Sequence, residues 1–509
     1  MDFSIKLYRV YFFIKLNRDK PAVKKEVFKK MKYEAVIGLE THVEIRSESK
    51  MFCSCANRSG AEPNTNVCPV CMGYPGVLPV PNRYAIYAAV RAGLLTECTI
   101  AKFSKFDRKS YFYPDMPKNY QISQYDLPFC EHGRIKLEGE GFSGAPLPDK
   151  YIGITRIHLE EDAAKLVHSG DKSGVDYNRA GVPLMEVVSE PDMRSADEAY
   201  AYLTSLKEIM RYGGIGDCDM EKGQMRCDVN ISLRPVGQKE FGTKIELKNL
   251  NSFRAVHRAI DYEIWRQADL LDRGITIRQE TRGWNDDLGE SYLMRTKEAA
   301  HDYRYFPDPD LMPVVFTDEE IEAIRAGLPE LPEAMRTRFQ EQYGITAYDA
   351  GVLTADKELA AWFDAAAKLA RTPKLVANWI SSELLRLLGE DKISINDCKI
   401  TPQSLAELTD VISSGAINGK IGKEVFAEMY ASGKAPKAII EEKGLVQVSD
   451  SGAIASIVAE AIEKNPKQVE EYRAGNERVL QYMVGQVMKL SKGKANPQMA
   501  IAELKKQLG

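Results

Sequence analysis

The amino-acid sequence predicts an α+β fold, in which a domain built on an antiparallel sheet is followed by domains made only of helices. Before residue 316, apolar residues alternate with a period of two in several segments, which is typical of half-buried strands. After residue 317 they recur at helical spacing, as in the stripe from Leu375 to Leu388. Because 509 residues are enough for about three domains, we expect domains at residues 31–316, 317–413 and 414–509.

Composition narrows the class of protein. Apolar residues make up 44% of the chain and charged residues 28%, as in soluble globular proteins. A net charge of -4 excludes a generally basic nucleic-acid-coating protein but allows a local basic patch. No apolar run approaches the roughly 18 residues of a membrane span. Nine scattered cysteines without a secretory leader favour a reducing compartment, so we expect a cytoplasmic protein without a membrane partner.

Residues 1–30 differ from the rest of the chain. Basic residues outnumber acidic ones there, and the one apolar run is short and interrupted by charge. An organelle transit peptide is one interpretation, but such peptides usually lack acids such as Asp2, Asp19 and Glu26. The simpler interpretation is that the functional chain starts at Met31, after an extension without a catalytic role.

The first predicted strand, from Tyr33 to Ile45, has one apolar and one polar face. Alternate positions such as Ile37 and Leu39 are apolar, whereas Glu40, His42 and Glu44 share the other face. Two carboxylates beside an imidazole repel and lose hydration unless a cation lies among them. The pattern therefore predicts half of a metal or phosphate site. An ordinary solvated sheet face is the alternative interpretation from this segment alone.

Two close pairs of cysteines follow this strand. Cys53 and Cys55 precede a short loop, and Cys68 and Cys71 come after it. Four thiols in this arrangement are typical of a tetrahedral zinc site, although the first pair is closer than usual. Four protein ligands leave no open coordination position, so we expect a structural zinc ion. Reduced thiols without a metal are the alternative.

Basic and aromatic residues then alternate between residues 105 and 128. Lys105, Arg108 and Lys118 are interspersed with tyrosines, a mixture that suits a polar channel, a phosphate site or base stacking. Lys244, in a later predicted strand, is a further candidate for phosphate binding or the channel. A well-packed hairpin with a solvated side is equally compatible with this segment.

Further predicted strands carry more acidic residues. In the strand from Ile152 to Asp162, Glu161 lies on the apolar side and Glu160 does not. Because a buried carboxylate must be paired or bound to a metal, we expect Glu161 to be the functional one. Later strands contribute Glu186, Asp228 and Glu246. Rows of acids and cations on one sheet face suit Mg2+ with a polyphosphate, and His42 would also suit Mn2+.

These segments carry a resemblance to a known family. The motifs are IGLETHVEI, the two cysteine pairs, KFDRKSYFYPDMPKNYQISQYD, RIHLEEDAAK, NRAGVPLMEVVSEPD, RCDVNISLRP, FGTKIELKNLNS, RQETRGW and DYRYFPDPDL. From Met31 to Gly509 the sequence resembles the B subunits of the bacterial-type aspartyl/glutamyl-tRNA(Asn/Gln) amidotransferases. The resemblance implies ATP-dependent amidation of glutamate or aspartate already esterified to tRNA(Gln) or tRNA(Asn). An ionised carboxylate is a poor electrophile, so this chain would first convert it to an acyl phosphate.

The resemblance also implies a fold, ligands and partners. The fold would be a catalytic cradle like that of glutamine synthetase. Glu40, His42, Glu161 and Glu246 would hold Mg2+, with Glu186 and Asp228 as weaker candidates. Ammonia would arrive by a tunnel from the A subunit, which is an amidase, in a heterotrimer that includes a small C subunit. A non-discriminating aminoacyl-tRNA synthetase is a further expected partner.

The final region is expected to be helical and to hold tRNA. Thr354 and the Thr-Pro pairs at Thr372 and Thr401 are expected helix starts. Lysines cluster near the end, at Lys489, Lys492 and Lys494, where they would contact phosphates. A solvated helix face explains the cluster equally well. For the whole chain, the main alternative function is a zinc-stabilised tRNA-binding scaffold. A metal-dependent hydrolase that uses Glu40 and His42 is weakened by the lack of an HExxH motif.

Overall fold

The computed structural model describes residues 32–137, 139–296, 303–445, 451–491, 495 and 497–509. The extension expected at residues 1–30 lies outside the described residues. The chain divides into two compact units, one ending at Leu331 and the other running from Pro332 to Gly509. Within the described residues, no helix is both long and apolar enough to cross a membrane.

The first unit combines strands with four α-helices among its described residues. The strands are β1 (Tyr33–Glu44), β2 (Thr99–Ile100), β3 (Phe103–Ser104), β4 (Asp107–Ser110), β5 (Tyr120–Ser123), β6 (Cys130–Lys136), β7 (Tyr151–Glu161), β8 (Lys165–Ser169), β9 (Lys172–Asp176), β10 (Pro183–Ser189), β11 (Met225–Pro235), β12 (Ile245–Lys248), β13 (Glu280–Asn285), β14 (Glu290–Thr296), β15 (Phe306–Pro307) and β16 (Val314–Val315). The helices are α1 (Arg83–Leu95), α2 (Ala196–Tyr212), α3 (Phe253–Asp272) and α4 (Asp318–Ala326).

A nine-stranded sheet dominates this unit, and β1 lies at its centre. The strand order is β14-β13-β12-β11-β1-β10-β7-β6-β2. Neighbouring strands are antiparallel except for the parallel pair of β12 and β13. The prediction of an α+β first region with a large antiparallel sheet is therefore confirmed. The small β4–β5 hairpin pairs with β15 in a separate sheet.

The alternation predicted for the first strand determines which face of the sheet forms the core. Ile37 and Leu39 are buried in one hydrophobic cluster with Val229 and Ile231 of β11. Helix α3 packs against β11, and α1 packs against β6 and β7. The alternate residues of the same strands therefore point to the opposite, polar face of the sheet.

Helix starts in this unit follow the local sequence. Asn82 caps α1, accepting a hydrogen bond from the Ala85 amide at 3.2 Å. Ser195 caps α2 in the same way, accepting from the amide of Glu198. The reciprocal bond of a capping box does not form, because the Glu198 carboxylate accepts the Arg194 amide and Lys150 instead.

The second unit is helical throughout its described residues, as expected. Its helices are α5 (Pro332–Tyr343), α6 (Ala347–Leu353), α7 (Lys357–Leu369), α8 (Pro373–Trp379), a π-helical turn (Ile380–Leu384), α9 (Leu385–Asp391), α10 (Pro402–Ser413), α11 (Gly419–Ser432), α12 (Pro436–Glu442), α13 (Ser451–Lys464), α14 (Pro466–Arg473), α15 (Val479–Leu490) and α16 (Pro497–Leu508). One hydrophobic cluster joins residues 339–440, and another joins residues 454–508.

The first compact unit ends at Leu331, and Ile321 of α4 is buried in its core. One expectation about helix starts in the second unit is wrong. Thr354 ends α6 instead of starting a helix, since Asp356 caps α7. Thr372 and Thr401 do precede helices, and Thr401 forms a capping box with Ser404.

Shortening a side chain in the central strand should destabilise the sheet. Ile37 is completely buried, so Ile37→Ala is expected to lower the free energy of unfolding by about 2–5 kcal/mol. Amide hydrogen exchange in β1 and β11 measures this loss within the first unit. Ile275→Ala is the matched control, because Ile275 is 40% exposed. Equal exchange rates in the two variants would contradict the central position of β1 in the core.

Candidate active site on the polar face of the sheet

The polar face brings together acidic and imidazole side chains from five neighbouring strands. In the register, His42 on β1 lies between Arg226 on β11 and Glu186 on β10. Glu186 in turn lies opposite His158 on β7. Two residues before His42 on β1, Glu40 lies opposite Asp228 of β11. Directly opposed residues have side chains on the same face, so these strands build one continuous polar surface.

His42, Glu160 and Glu186 form the first group of potential metal ligands. The imidazole Nε2 of His42 lies 3.4 Å from a carboxylate oxygen of each glutamate. Burial opposes protonation of this imidazole, but hydrogen bonds to Glu160 and Glu186 raise the pKa of His42 to about 10. Burial raises the pKa of both glutamates, but the His42 contacts lower that of Glu160, and His158 together with His42 lowers that of Glu186. A proton on His42 therefore partly balances the buried carboxylate of Glu160 and the half-buried one of Glu186.

Glu40, Asp228 and Glu246 form the second group. One ligand atom from each lies within 4.8 Å of the others. Lys248 forms ion pairs with Asp228 and with Glu246, the latter at 3.1 Å. Burial opposes the charge on this lysine, but the two carboxylates raise the pKa of Lys248. One cation against three carboxylates leaves this group with an excess of negative charge.

Neighbouring side chains fix the orientation of the second group. The amide nitrogen of Asn230 donates a hydrogen bond of 2.8 Å to Glu40. The hydroxyl of Thr281 donates one of 2.7 Å to Glu246. Hard divalent cations prefer carboxylate oxygens, and an imidazole nitrogen favours Mn2+ over Mg2+. The donor atoms of both groups therefore fit divalent cations.

The structure places Glu161 away from both groups. Its side chain lies on the apolar side of β7, as the alternation predicts, and is 3% exposed. Its carboxylate pairs with Lys118 and accepts the amide of Ile122 at 2.9 Å. The buried carboxylate thus has a partner, but the partner is a lysine. Glu160, which the alternation of the strand did not favour, lies beside His42.

Three of the four basic residues expected to bind phosphate already have carboxylate partners in the fold. Lys105 pairs with Asp107 and Asp126, and Lys118 pairs with Glu161. Arg108 pairs with Asp308 at 3.0 Å and with Asp310 at 2.7 Å. Lys244 is exposed just before β12. A carboxylate in hydrogen-bond range already balances each of the first three.

Two other cations, Lys109 and Arg156, act electrostatically on residues at the first acidic group. Burial opposes protonation of Lys109, but Glu160 and Glu186 raise the pKa of this lysine. Its ammonium lies 4.9 Å from the centre of the Tyr303 ring. Arg156 shares the polar side of β7 with His158. In the sequence, the alternation of residues 156, 158 and 160 places Arg156 and Glu160 on the same side of the strand as His158. This pattern could have identified both residues as candidates.

The four cysteines converge as expected. Their sulfur atoms all lie within 4.8 Å of one another, close to the spacing that Zn–S bonds of about 2.3 Å require. Hydrogen bonding from Cys53 outweighs burial and lowers the pKa of the Cys71 thiol to about 5, with help from the Cys68 amide and Lys50. The buried ammonium of Lys50 lies 3.8 Å from the Cys71 sulfur. A thiolate beside a buried cation suits a structural zinc site.

A cavity of about 220 Å³ lies between the cysteine loop and the β4–β5 hairpin. Its lining includes Cys71, Arg108, Lys118, Tyr120 and Glu161. Two of the predicted channel residues, Arg108 and Lys118, therefore face the same space. Tyr120 lies under both cations, with its ring centre 4.4 Å from Arg108 and 5.2 Å from Lys118.

In the second unit, Lys489 lies in the last turn of α15. Lys492 and Lys494 lie outside the described residues. The structure therefore does not test the predicted lysine cluster as a whole.

Comparison with known proteins identifies the family. Residues 35–322 match the GatB/GatE catalytic domain, and residues 361–508 match the GatB domain. The chain is 55% identical to the B subunit of the aspartyl/glutamyl-tRNA(Asn/Gln) amidotransferase of Caldanaerobacter subterraneus subsp. tengcongensis, over 94% of this chain and 100% of the relative. It is 54% identical to the proteins of the same name from Thermoanaerobacter pseudethanolicus and Geotalea uraniireducens, with the same coverage. The chain belongs to the family of aspartyl/glutamyl-tRNA(Asn/Gln) amidotransferase B subunits.

Proposed function

We propose that this chain activates the side-chain carboxylate of glutamate or aspartate esterified to tRNA(Gln) or tRNA(Asn), and then transfers ammonia to it. The observation that carries the proposal is the pair of acidic groups on one sheet face, in a chain of this family. Six ligand residues in two adjacent groups suit a reaction that joins a polyphosphate to a carboxylate. The alternative, a scaffold without its own chemistry, would not require these groups.

The proposed reaction has two balanced steps. A carboxylate oxygen of the esterified amino acid attacks the γ-phosphorus of ATP, the bond to the bridging oxygen breaks, and ADP leaves. Ammonia then attacks the carbonyl carbon of the acyl phosphate, and phosphate leaves with the electron pair of the broken C–O bond. The nitrogen loses a proton, and the product is the amide. Both steps depend on positioning and on compensation of the charge on phosphate.

We assign the two acidic groups to divalent cations. His42, Glu160 and Glu186 would hold one, and Glu40, Asp228 and Glu246 would hold the other. When bound, Mg2+ or Mn2+ would neutralise part of the negative charge on the phosphates. Asn230 and Thr281 keep Glu40 and Glu246 oriented, and Lys248 limits the repulsion between Asp228 and Glu246. Glu161 would act as the partner of Lys118 and not as a metal ligand.

The remaining proposals concern the cysteines, the fold and the partners. The four cysteines would hold a structural zinc ion that fixes their loop beside β1. The sheet with its polar face would form the cradle, which we propose to be of the glutamine synthetase type. The relatives are named as B subunits, and such a name describes one part of a larger enzyme. We expect the amidase, a small C subunit and tRNA as partners in the cytoplasm, with a non-discriminating synthetase as a further one.

The route of ammonia is a further part of the proposal. The cavity lined by Arg108, Lys118 and Glu161 is a candidate segment of that route. Its polar lining suits a small polar molecule. The helical second unit would hold tRNA, and Lys489 remains a candidate contact.

The kinase step is tested by trapping the acyl phosphate. The chain, assembled with its partner subunits, is mixed with ATP, Glu-tRNA(Gln) and hydroxylamine, without an ammonia source. We expect ATP-dependent hydroxamate and a matching release of ADP. Glu246→Gln and Glu160→Gln should each lower this rate by about 100-fold or more, because a ligand to the compensating cation is lost.

The control for this experiment is Glu97→Gln, which removes an exposed carboxylate that pairs only with Arg134 among the described residues. It should retain the wild-type rate. If the wild-type complex binds tRNA but makes no ATP-dependent hydroxamate, the scaffold function replaces the proposed one.

Cation binding should release a proton from His42. In the metal-free protein this imidazole is protonated at neutral pH, since its pKa is raised to about 10. A bound cation requires the neutral imidazole, so Mn2+ affinity should rise from pH 6 to pH 8. Calorimetry in buffers of different ionisation enthalpy should detect about one proton released per ion. His42→Gln should abolish that release, and an unchanged release would exclude His42 as a ligand.

Zinc content should depend on the four clustered cysteines only. Cys55→Ser is expected to lower bound zinc from about one ion per chain towards zero, because a hydroxyl replaces a thiolate ligand. Elemental analysis of the purified protein measures the content. Cys398→Ser is the matched control, because Cys398 lies in the other unit and is also partly buried. Full zinc content in Cys55→Ser would contradict the four-cysteine site.

A further inference from the structure

Arg156 differs from the paired arginines around the polar face. It lies on β7, with Val188 of β10 on one side and Glu131 of β6 on the other. The residue is partly buried, and its Nε atom is fully buried without a hydrogen-bond partner. Within the described residues, Arg156 forms no ion pair, and Glu131 across from it is exposed.

Three of the neighbouring cations are already balanced by ion pairs. Lys248 pairs with Asp228, Arg226 pairs with Asp162, and Arg108 pairs with Asp308. A buried charge without a partner is unfavourable, because the protein does not replace the hydrogen bonds lost from water. The guanidinium of Arg156 is therefore available to bind an anion that is not part of the chain.

The position of Arg156 indicates which anion this is. Its charge acts on His158, which lies beside Glu186 in the first acidic group. Along the register, only Val188 separates Arg156 from Glu40 of the second group. Two strand spacings make this separation about 10 Å between Cα atoms. A planar guanidinium binds phosphate oxygens through two parallel hydrogen bonds, which suits a phosphoryl group held between Arg156 and the two acidic groups.

We propose that Arg156 is a catalytic residue that donates hydrogen bonds to the terminal phosphoryl group of the nucleotide during its transfer. The inference rests on the proposed function. Arg156 keeps its protons throughout. The bond between the γ-phosphorus and the bridging oxygen breaks, the bond to the substrate carboxylate forms, and the guanidinium balances charge on the three outer oxygens.

Nucleotide binding separates this role from a structural one. The full chain, assembled with its partner subunits, is titrated with ADP and with a non-hydrolysable imido analogue of ATP, both with Mg2+. Arg156→Gln should weaken binding of the analogue by about tenfold or more and leave ADP binding unchanged, because only the analogue has the terminal phosphoryl group. Arg156→Lys should restore part of the loss, since lysine keeps the charge but not the bidentate geometry.

Two further measurements complete the test. Arg134→Gln on the neighbouring strand, which removes an exposed and paired arginine, should bind both nucleotides like the wild type. Arg156→Met should unfold at the same or a higher temperature than the wild type, because no internal ion pair is lost. ATP-dependent hydroxamate formation should fall in Arg156→Gln by about tenfold or more, with tRNA affinity unchanged.

The inference is overturned if Arg156→Gln weakens ADP and the analogue equally, or weakens neither. It is also overturned if tRNA affinity alone falls, which would assign Arg156 to a tRNA phosphate. Failure of the proposed function gives a different result, since the wild-type complex would then form no ATP-dependent hydroxamate. If the wild-type complex forms hydroxamate and Arg156→Gln forms it at the same rate, only the role of Arg156 is rejected and the proposed function stands.

Discussion

The first unit depends on one electrostatic constraint, the repulsion among carboxylates gathered on one face of its sheet. Glu160 and Glu186 lie in one group, and Glu40, Asp228 and Glu246 lie in the other. Such groups must lose charge by protonation or gain positive charge from outside. The proton on His42 and the ammonium of Lys248 compensate part of this charge. In the proposed function, bound cations would compensate the remaining negative charge on this face.

The hydrophobic core maintains this unfavourable arrangement. Ile37 and Leu39 point to the core from the same strand that carries Glu40 and His42 to the polar face. A shift of one residue in the register would bury the carboxylates and expose the core, so the burial of apolar side chains also fixes the positions of the acids. This coupling explains why the site extends across β1, β7, β10, β11 and β12, the middle strands of the sheet.

Local patterns in the sequence were sufficient to predict some features but not others. The alternation from Tyr33 to Ile45 and the spacing of the cysteines depend on nearby residues, and the structure has the strand and the cysteine cluster. The choice between Glu161 and Glu160 as a metal ligand depends on which partner each carboxylate has in the folded chain. Lys118 is 43 positions away and reaches Glu161 only after the β4–β5 hairpin has folded back. A buried carboxylate in a sequence does not show whether its partner is a lysine or a metal ion.

Three of the basic residues expected to bind phosphate likewise have partners that only the folded chain shows. Lys105, Arg108 and Lys118 stand in a conspicuously basic segment, yet each is balanced by an acid that is close only in the folded chain. Arg156 stands alone in its segment and has no such partner within the described residues. Because a preorganised site needs charges that its own fold leaves uncompensated, availability for a substrate depends on the tertiary charge balance. The density of basic residues along the sequence does not measure that balance.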